Sequence, residues 1–420
     1  MRPWGLLATA VAIAAAKALA GQKDFVLRDG DTVVFLGDSI TAARTYGKII
    51  ENYTLLRFPE RKVHFFNMGK GGETAEGVVP RLEHDVFSLK PTVLTVTYGI
   101  NDIGWGMKAD EEHKQAYLKG IRTIVEECRR RGVRVYICSA AVTSADPNKS
   151  EKDFLQSMCD EGMALSRSLG GGAIDVQRTM RECQKKVWAA NEKTTNPKER
   201  SSLHADDGVH LNDYGQIAMA FAILKGLGAP AEVSSATIDG GQGRVLASDG
   251  CSVSRVKKSG DTLEFVRLDQ GLPLNLGLVG VLSYRFVPIP DELNRYLLAV
   301  RDLAEGRYEV VVDGRLVGKY SNRELAAGVN LGSATPDAWE PGGPWDSQAT
   351  VLRSLTDARS EMLMSVRLGG FYLPDKARLE SIAQDVRKLN GQFETLQRKA
   401  ARPAPYHFLV RPQSQASKGQ

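Results

Sequence analysis

Between Asp31 and about Leu227, short apolar runs rich in β-branched residues alternate with segments of helical periodicity, and this alternation restricts the fold more than any other feature. The runs are Thr32–Leu36, Val63–Asn67, Thr92–Tyr98 and Val133–Ala140; helices are expected near Tyr46–Arg57, Ala75–Ser88 and Asp110–Arg131. Each run is almost uninterrupted by polar residues, as a strand covered on both faces requires, so a parallel sheet between two helical layers is predicted. The third helix is the best signalled. Tyr117, Ile121, Ile124, Val125 and Cys128 recur on one face, and Gly132 follows as a stop.

The pattern changes after Gly228-Ala229-Pro230. Tyr308–Val312 and Arg315–Tyr320 flank Asp313-Gly314, a two-residue hairpin signal. Leu263–Leu268, Gly277–Phe286 and Tyr296–Val300 add candidate strands, which together predict a small β-rich module. Helical periodicity returns near Ser347–Met364 and Asp375–Lys399, and the polar tail from Arg411 is expected to be disordered. The expected division is a signal peptide at 1–20, an α/β domain at 21–230, a β-rich module at 231–335, a helical C-terminal region at 336–410 and a disordered tail at 411–420.

Arg2 precedes an apolar stretch from Leu6 to Ala16, and Ala18-Leu19-Ala20 gives the small-x-small pattern that signal peptidase accepts. A secreted or periplasmic protein with no integral membrane segment after cleavage at Ala20 is expected. Loss of Arg2 and Lys17 leaves 53 basic against 50 acidic residues, a net charge of +3. Basic and acidic residues are interspersed, which gives no argument for a nucleic-acid partner. Of the five cysteines, Cys128 and Cys138 are expected as buried thiols, and a Cys159–Cys183 bridge is open on spacing alone. Neither oligomeric state nor a repeat architecture can be read from the chain.

Four segments carry chemistry. The first strand ends in Gly37-Asp38-Ser39, which sets a hydroxyl at a strand's C-terminal edge, where α/β sheets build their sites. A serine is a poor nucleophile at neutral pH and needs a base within hydrogen-bond reach, itself oriented by a third group. His210 is the candidate base and Asp207 the orienter, with Asp206 a competitor that lacks the three-residue spacing. Charge developing on the substrate oxygen needs preset donors. Gly72 in a glycine-rich loop, the Asn101 side-chain amide and the Ser39 N–H can supply them. Trp105, in Gly104-Trp105-Gly106, is a candidate wall of the substrate pocket or an ordinary packing residue, and Trp339 and Trp345 are candidates for stacking on a sugar or for anchoring an irregular loop. Asp38 and Asp102 are read as loop-holding carboxylates.

At Gly37-Asp38-Ser39, Gly72, Gly99-Ile100-Asn101-Asp102 and Asp207-Gly208-Val209-His210 the sequence resembles the bacterial branch of the SGNH, or GDSL-type, hydrolases. The resemblance spans roughly Asp31 to Leu227. It implies a flavodoxin-like sheet with Ser39 as nucleophile, Asp207 and His210 as base system, and Ser39, Gly72 and Asn101 as oxyanion hole. The function expected is a serine esterase that removes an acyl group, acetyl by preference, from a carbohydrate or other small-molecule ester through an acyl-enzyme. A lysophospholipase or thioesterase of the same fold, or an inert carbohydrate-binding protein, are the alternatives. No cofactor is expected, since Thr74 stands where a dinucleotide fingerprint needs its third glycine. No metal is expected either, because His204, near Asp206 and His210, has no paired-ligand motif beside it.

Overall fold

β1 (Thr32–Gly37) is buried along almost its whole length, as its unbroken apolar run requires, and neighbours pair on both of its edges. In the computed structural model, which describes residues 25–334, 342–372 and 375–413, β1 pairs in parallel with β2 (His64–Asn67) and β3 (Val93–Thr97). β4 (Arg134–Cys138) and β5 (Gly172–Ile174) complete a parallel sheet of order β2-β1-β3-β4-β5. The expected leader, Trp339 and tail residues 414–420 lie outside the described residues.

Helices Thr45–Arg57, Glu111–Arg130, Phe154–Ser168, Val176–Glu192 and Asp213–Gly226 flank this sheet, giving the three-layer α/β domain. Asp110 caps the Glu111–Arg130 helix by accepting from the His113 N–H, and the predicted face of Tyr117, Ile121, Ile124, Val125 and Cys128 is buried. Gly120 on that face is required by close approach, since a Cβ there would lie 2.3 Å from the Ala75 carbonyl carbon. The helix expected at Ala75–Ser88 is instead a 3-10 turn at Val79–Arg81, a π turn at Leu82–Val86 and a 3-10 turn at Phe87–Leu89. Pro80 explains this: it has no N–H to continue a helix and its ring obstructs the preceding turn.

Two further sheets follow. β6 (Glu232–Asp239), β7 (Arg244–Asp249), β10 (Arg295–Arg301) and β13 (Val329–Asn330) form one, in the order β13-β10-β6-β7. β8 (Cys251–Ser259), β9 (Thr262–Asp269), β11 (Arg307–Val312), β12 (Arg315–Ser321) and β14 (Tyr406–Pro412) form the other, in the order β12-β11-β14-β9-β8. The predicted β11–β12 hairpin is present around Asp313-Gly314, with both residues at positive φ. Gly277–Phe286, expected as a strand, begins as a helix over Gly277–Ser283 that packs on Asp213–Gly226. A short apolar run without alternation fits either conformation, and here neighbouring packing decides. Tyr406–Val410, expected in the helical C-terminal region, and Arg411 and Pro412, expected in a disordered tail, instead form β14, because they pair with β9 and β11, and Arg411 pairs with Glu309.

The long helices Pro344–Tyr372 and Lys376–Ala401 pack on each other, and both pack on Thr45–Arg57. Arg359 is the buried centre of this junction. It donates to Glu51 at 2.9 Å, to the Phe65 carbonyl at 2.8 Å and to Glu394 at 3.2 Å. Trp345 is fully buried, edge-on to Tyr296 and Tyr406 and stacked on Phe408, so it is core rather than a sugar platform. All five cysteines are free thiols, so Cys159 and Cys183 do not form the bridge that spacing left open. Among the described residues no helix is long and apolar enough to cross a membrane.

Candidate active site

The C-terminal end of β1 delivers Ser39 to the sheet edge. Asp38 is nearly buried and its carboxylate accepts from the Ile40 N–H at 2.9 Å, which starts the short Ser39–Ala42 helix with Ser39 in its first turn. Burial pushes the Asp38 carboxyl up to about 6, against the opposing effect of that backbone bond. Gly37 is required here by crowding, because a Cβ would lie 2.7 Å from the Thr97 carbonyl oxygen on β3.

The turn before helix Asp213–Gly226 carries the base. Asp207 Oδ1 accepts from the backbone N–H groups of Val209 and His210, each at 2.9 Å, and Gly208, between Asp207 and Val209, has φ of 71°. Asp207 Oδ2 lies 2.5 Å from His210 Nδ1, and His210 Nε2 lies 2.8 Å from Ser39 Oγ. Hydrogen bonds from the His210 ring and from the Val209 and His210 backbone hold the Asp207 carboxyl down to about 2, so it is an ionised acceptor at neutral pH. The proton of neutral His210 therefore sits on Nδ1, and the Nε2 lone pair faces the Ser39 hydroxyl. Asp207 thus takes the position for which Asp206 competed in the sequence.

Two loops border the serine. Asn67–Gly72 runs against the Ser39–Ala42 helix: Asn67 Nδ2 donates to the Thr41 carbonyl at 2.8 Å, and the Lys70 N–H donates to the Gly37 carbonyl at 2.9 Å. A Cβ on Gly71 would touch Ser39 Cβ at 3.9 Å, so this loop passes directly beside the nucleophile candidate. Gly72 has φ of 72° with open space around it, so backbone conformation rather than crowding calls for glycine there. The second loop, after β3, carries Asn101. Its Nδ2 donates to the Glu73 carbonyl at 3.3 Å, and its Oδ1 accepts from Trp105 Nε1 at 2.9 Å.

Asp102 ties the two loops together by accepting from Ala75 N–H and Gly99 N–H, each at 2.9 Å, and burial pushes its carboxyl up to about 6. Glu73, which the sequence reading did not single out, is buried beneath the same loop. Tyr98 Oη donates to it at 2.7 Å and Arg81 Nε at 2.7 Å, while Arg81 also donates to the Met68 carbonyl at 2.8 Å. A carboxylate inside a glycine-rich loop gives no periodic signal; its partners Arg81 and Tyr98 become visible only in three dimensions.

Trp105 occupies left-handed backbone (φ 58°, ψ 31°) and its ring meets His210 edge-on, with centroids 5.5 Å apart. The buried His204 is engaged elsewhere, with Nε2 2.9 Å from the Val142 carbonyl oxygen. A separate cavity of about 580 Å³ lies between β2, the Thr45–Arg57 helix and the C-terminal helical pair. Phe65, Phe66, Met68, Leu363 and Val386 line it, whereas Ser39, Asn101 and His210 do not.

Residues 35–217 match the model of the GDSL-like lipase/acylhydrolase family. The fold is similar to that of a gut microbial diltiazem-metabolizing enzyme, with a TM-score of 0.78 at 22% identity over 92% of this chain and 98% of that one. An acetylxylan esterase from Geobacillus stearothermophilus aligns with 48% of this chain and 96% of its own, at 20% identity and a TM-score of 0.38. An uncharacterized lipoprotein of Bacillus subtilis (strain 168) is 30% identical over 114 residues, 26% of this chain. The chain spans about half (47%) of the length of that curated relative.

Proposed function

We propose, from the match of residues 35–217 to the GDSL-like lipase/acylhydrolase family, that this chain is a carboxylic ester hydrolase, an exported esterase that removes a short acyl group, acetyl by preference, from a carbohydrate. In this reading Ser39 Oγ attacks the ester carbonyl while His210 Nε2 takes its proton. Asp207 holds the imidazole in the required tautomer and stabilises the imidazolium that forms. The tetrahedral oxyanion is received by the N–H groups of Ser39 and Gly72 and the amide of Asn101. His210 then returns its proton to the departing sugar oxygen, leaving an acyl group on Ser39. In the second half-reaction water attacks this ester, losing its proton to His210, and Ser39 departs reprotonated.

The relay Ser39–His210–Asp207, at 2.8 Å and 2.5 Å, is the observation that carries the proposal. The substrate class rests on the leader expected at residues 1–20 and on the openness of the site. The side chains of His210 and Asp207 keep 36% and 39% of their surface in contact with solvent, which suits a bulky alcohol half lying across the surface. Trp105, 48% exposed beside His210, offers a ring on which such a group can rest. The test is fluorophosphonate labelling with peptide mapping, followed by turnover of a panel of acetylated saccharides, lysophospholipids and acyl thioesters. Labelling at Ser39 and preference for the acetylated saccharides are expected. Labelling elsewhere would refute the nucleophile, and preference for lipids or thioesters would refute the substrate class.

A further inference from the structure

We propose that Trp105 is a positioning residue for the oxyanion hole, fixing through its indole N–H which end of the Asn101 amide faces the reacting ester. The inference rests on the reading of Asn101 as an oxyanion donor and adds how that donor is held. An asparagine side chain is nearly symmetric in shape but opposite in function at its two ends, and a half-turn about its last bond would direct a carbonyl oxygen at the developing negative charge. Something must select the productive orientation.

The neighbours of Asn101 do so from both ends. Trp105 Nε1 can only donate, so its 2.9 Å bond requires an oxygen and places Oδ1 toward the indole. The Glu73 carbonyl can only accept, so its 3.3 Å contact requires the nitrogen. Glu73 is itself immobilised by Arg81 and Tyr98. Of the two N–H groups of Asn101 Nδ2, one goes to Glu73, and the other has no partner among the described residues and is available to the oxyanion.

The local backbone is arranged to bring the indole to this position. Gly104, Trp105 and Gly106 all have positive φ, at 51°, 58° and 94°. For a bulky residue this conformation is uncommon and costs energy, and glycines on either side allow the chain to enter and leave it. The Trp105 N–H donates to the Ile100 carbonyl at 2.9 Å, which closes the loop back onto the residue before Asn101. Ring contact with His210 alone would not require Nε1 to point at Asn101. The hydrogen bond is the feature that the strained turn secures.

A double-mutant cycle on the full-length protein, with 4-nitrophenyl acetate as the probe, tests this. Trp105→Phe removes the donor, and benzothienylalanine at position 105 removes it while keeping the bicyclic shape. Both are expected to lower kcat roughly tenfold with KM changed less than about twofold, since one ordering hydrogen bond is lost in the transition state. In an Asn101→Ala background, where no amide remains to orient, the same replacements should change kcat by less than about twofold. Wild-type kcat in the benzothienylalanine protein, or an undiminished effect in the Asn101→Ala background, overturns the inference. An Asn101→Ala enzyme with unchanged kcat would instead overturn the oxyanion reading on which it stands.

Discussion

Gln216, one turn into the helix that follows His210, accepts the backbone N–H of Tyr46 at 3.1 Å. Its Nε2 also lies 3.5 Å from the carbonyl of Ile40, the residue after Ser39. The element carrying the base and the element carrying the nucleophile are thus joined behind the site through one buried side chain. Ser39 and His210 are 171 residues apart in sequence, and their hydrogen bond depends on such bracing.

Gln216→Leu should therefore be felt twice. The Tyr46 N–H loses its acceptor in a buried setting, which costs about 1–3 kcal/mol in urea unfolding. kcat should fall with little change in KM as the Ser39–His210 distance loosens. Wild-type stability and kcat would show that the two elements are held by other contacts.

At Asp207 the backbone makes an unusual ranking of variants. Oδ1 already accepts two backbone N–H groups, so Asp207→Asn must place its carbonyl oxygen there and turn its amide nitrogen toward His210 Nδ1. An N–H donor at that point selects the tautomer protonated on Nε2, which cannot accept from Ser39. Asp207→Asn is expected to lower kcat by about 10²–10⁴ and to be no more active than Asp207→Ala. An Asn variant clearly faster than the Ala variant would contradict the assigned tautomer.

Asp38 makes a pH-dependent contribution to stability whose sign follows from its raised pKa. With a folded value of about 6 against an ordinary 3.8, the native state binds more protons between these limits. Stability from this group therefore falls as pH rises from about 4 to about 6. Asp38→Asn keeps an oxygen for the Ile40 N–H but cannot ionise. Its stability relative to wild type should rise by up to about 3 kcal/mol between pH 4 and 7, read from urea unfolding at both pH values. No change, or a change of opposite sign, would show that the buried carboxyl is not destabilised when charged.

The C-terminal helical pair is fastened to the α/β domain by Arg359, Glu51 and Glu394. Arg359→Met leaves two carboxylates without their buried cation and should cost about 3–5 kcal/mol. Burial raises the pKa of Glu51, and loss of Arg359 would raise it further, so the deficit should be smaller at acidic pH. A variant as stable as wild type at neutral pH would mean that the junction does not depend on this pair.

How much of this could be read in the chain differs between elements. Strands β1 and β3 are continuous apolar runs whose burial on both faces leaves one interpretation, and the Asp-x-x-His turn places Asp207 and His210 in contact by local geometry alone. The segment after Gly72 misled because its composition is helical while Pro80 and the bracing of Glu73 divert it. β14 escaped because residues Tyr406–Pro412 pair only with strands about 100 to 145 residues earlier, β11 and β9, and its short alternation of buried Tyr406, Phe408 and Val410 directly follows a long helical stretch. Trp105 stands out in the sequence between two glycines after Asn101, yet its bond to Asn101 depends on a left-handed backbone that the flanking glycines permit without announcing.

Acylation of Ser39 with His210 as base can be followed by rapid-quench mass spectrometry with 4-nitrophenyl acetate. A burst of nitrophenolate matched by one acetyl group on the peptide containing Ser39 is expected, with both absent from Ser39→Ala. Turnover that persists in Ser39→Ala, or an acetyl group found on another residue at the rate of the burst, would contradict it.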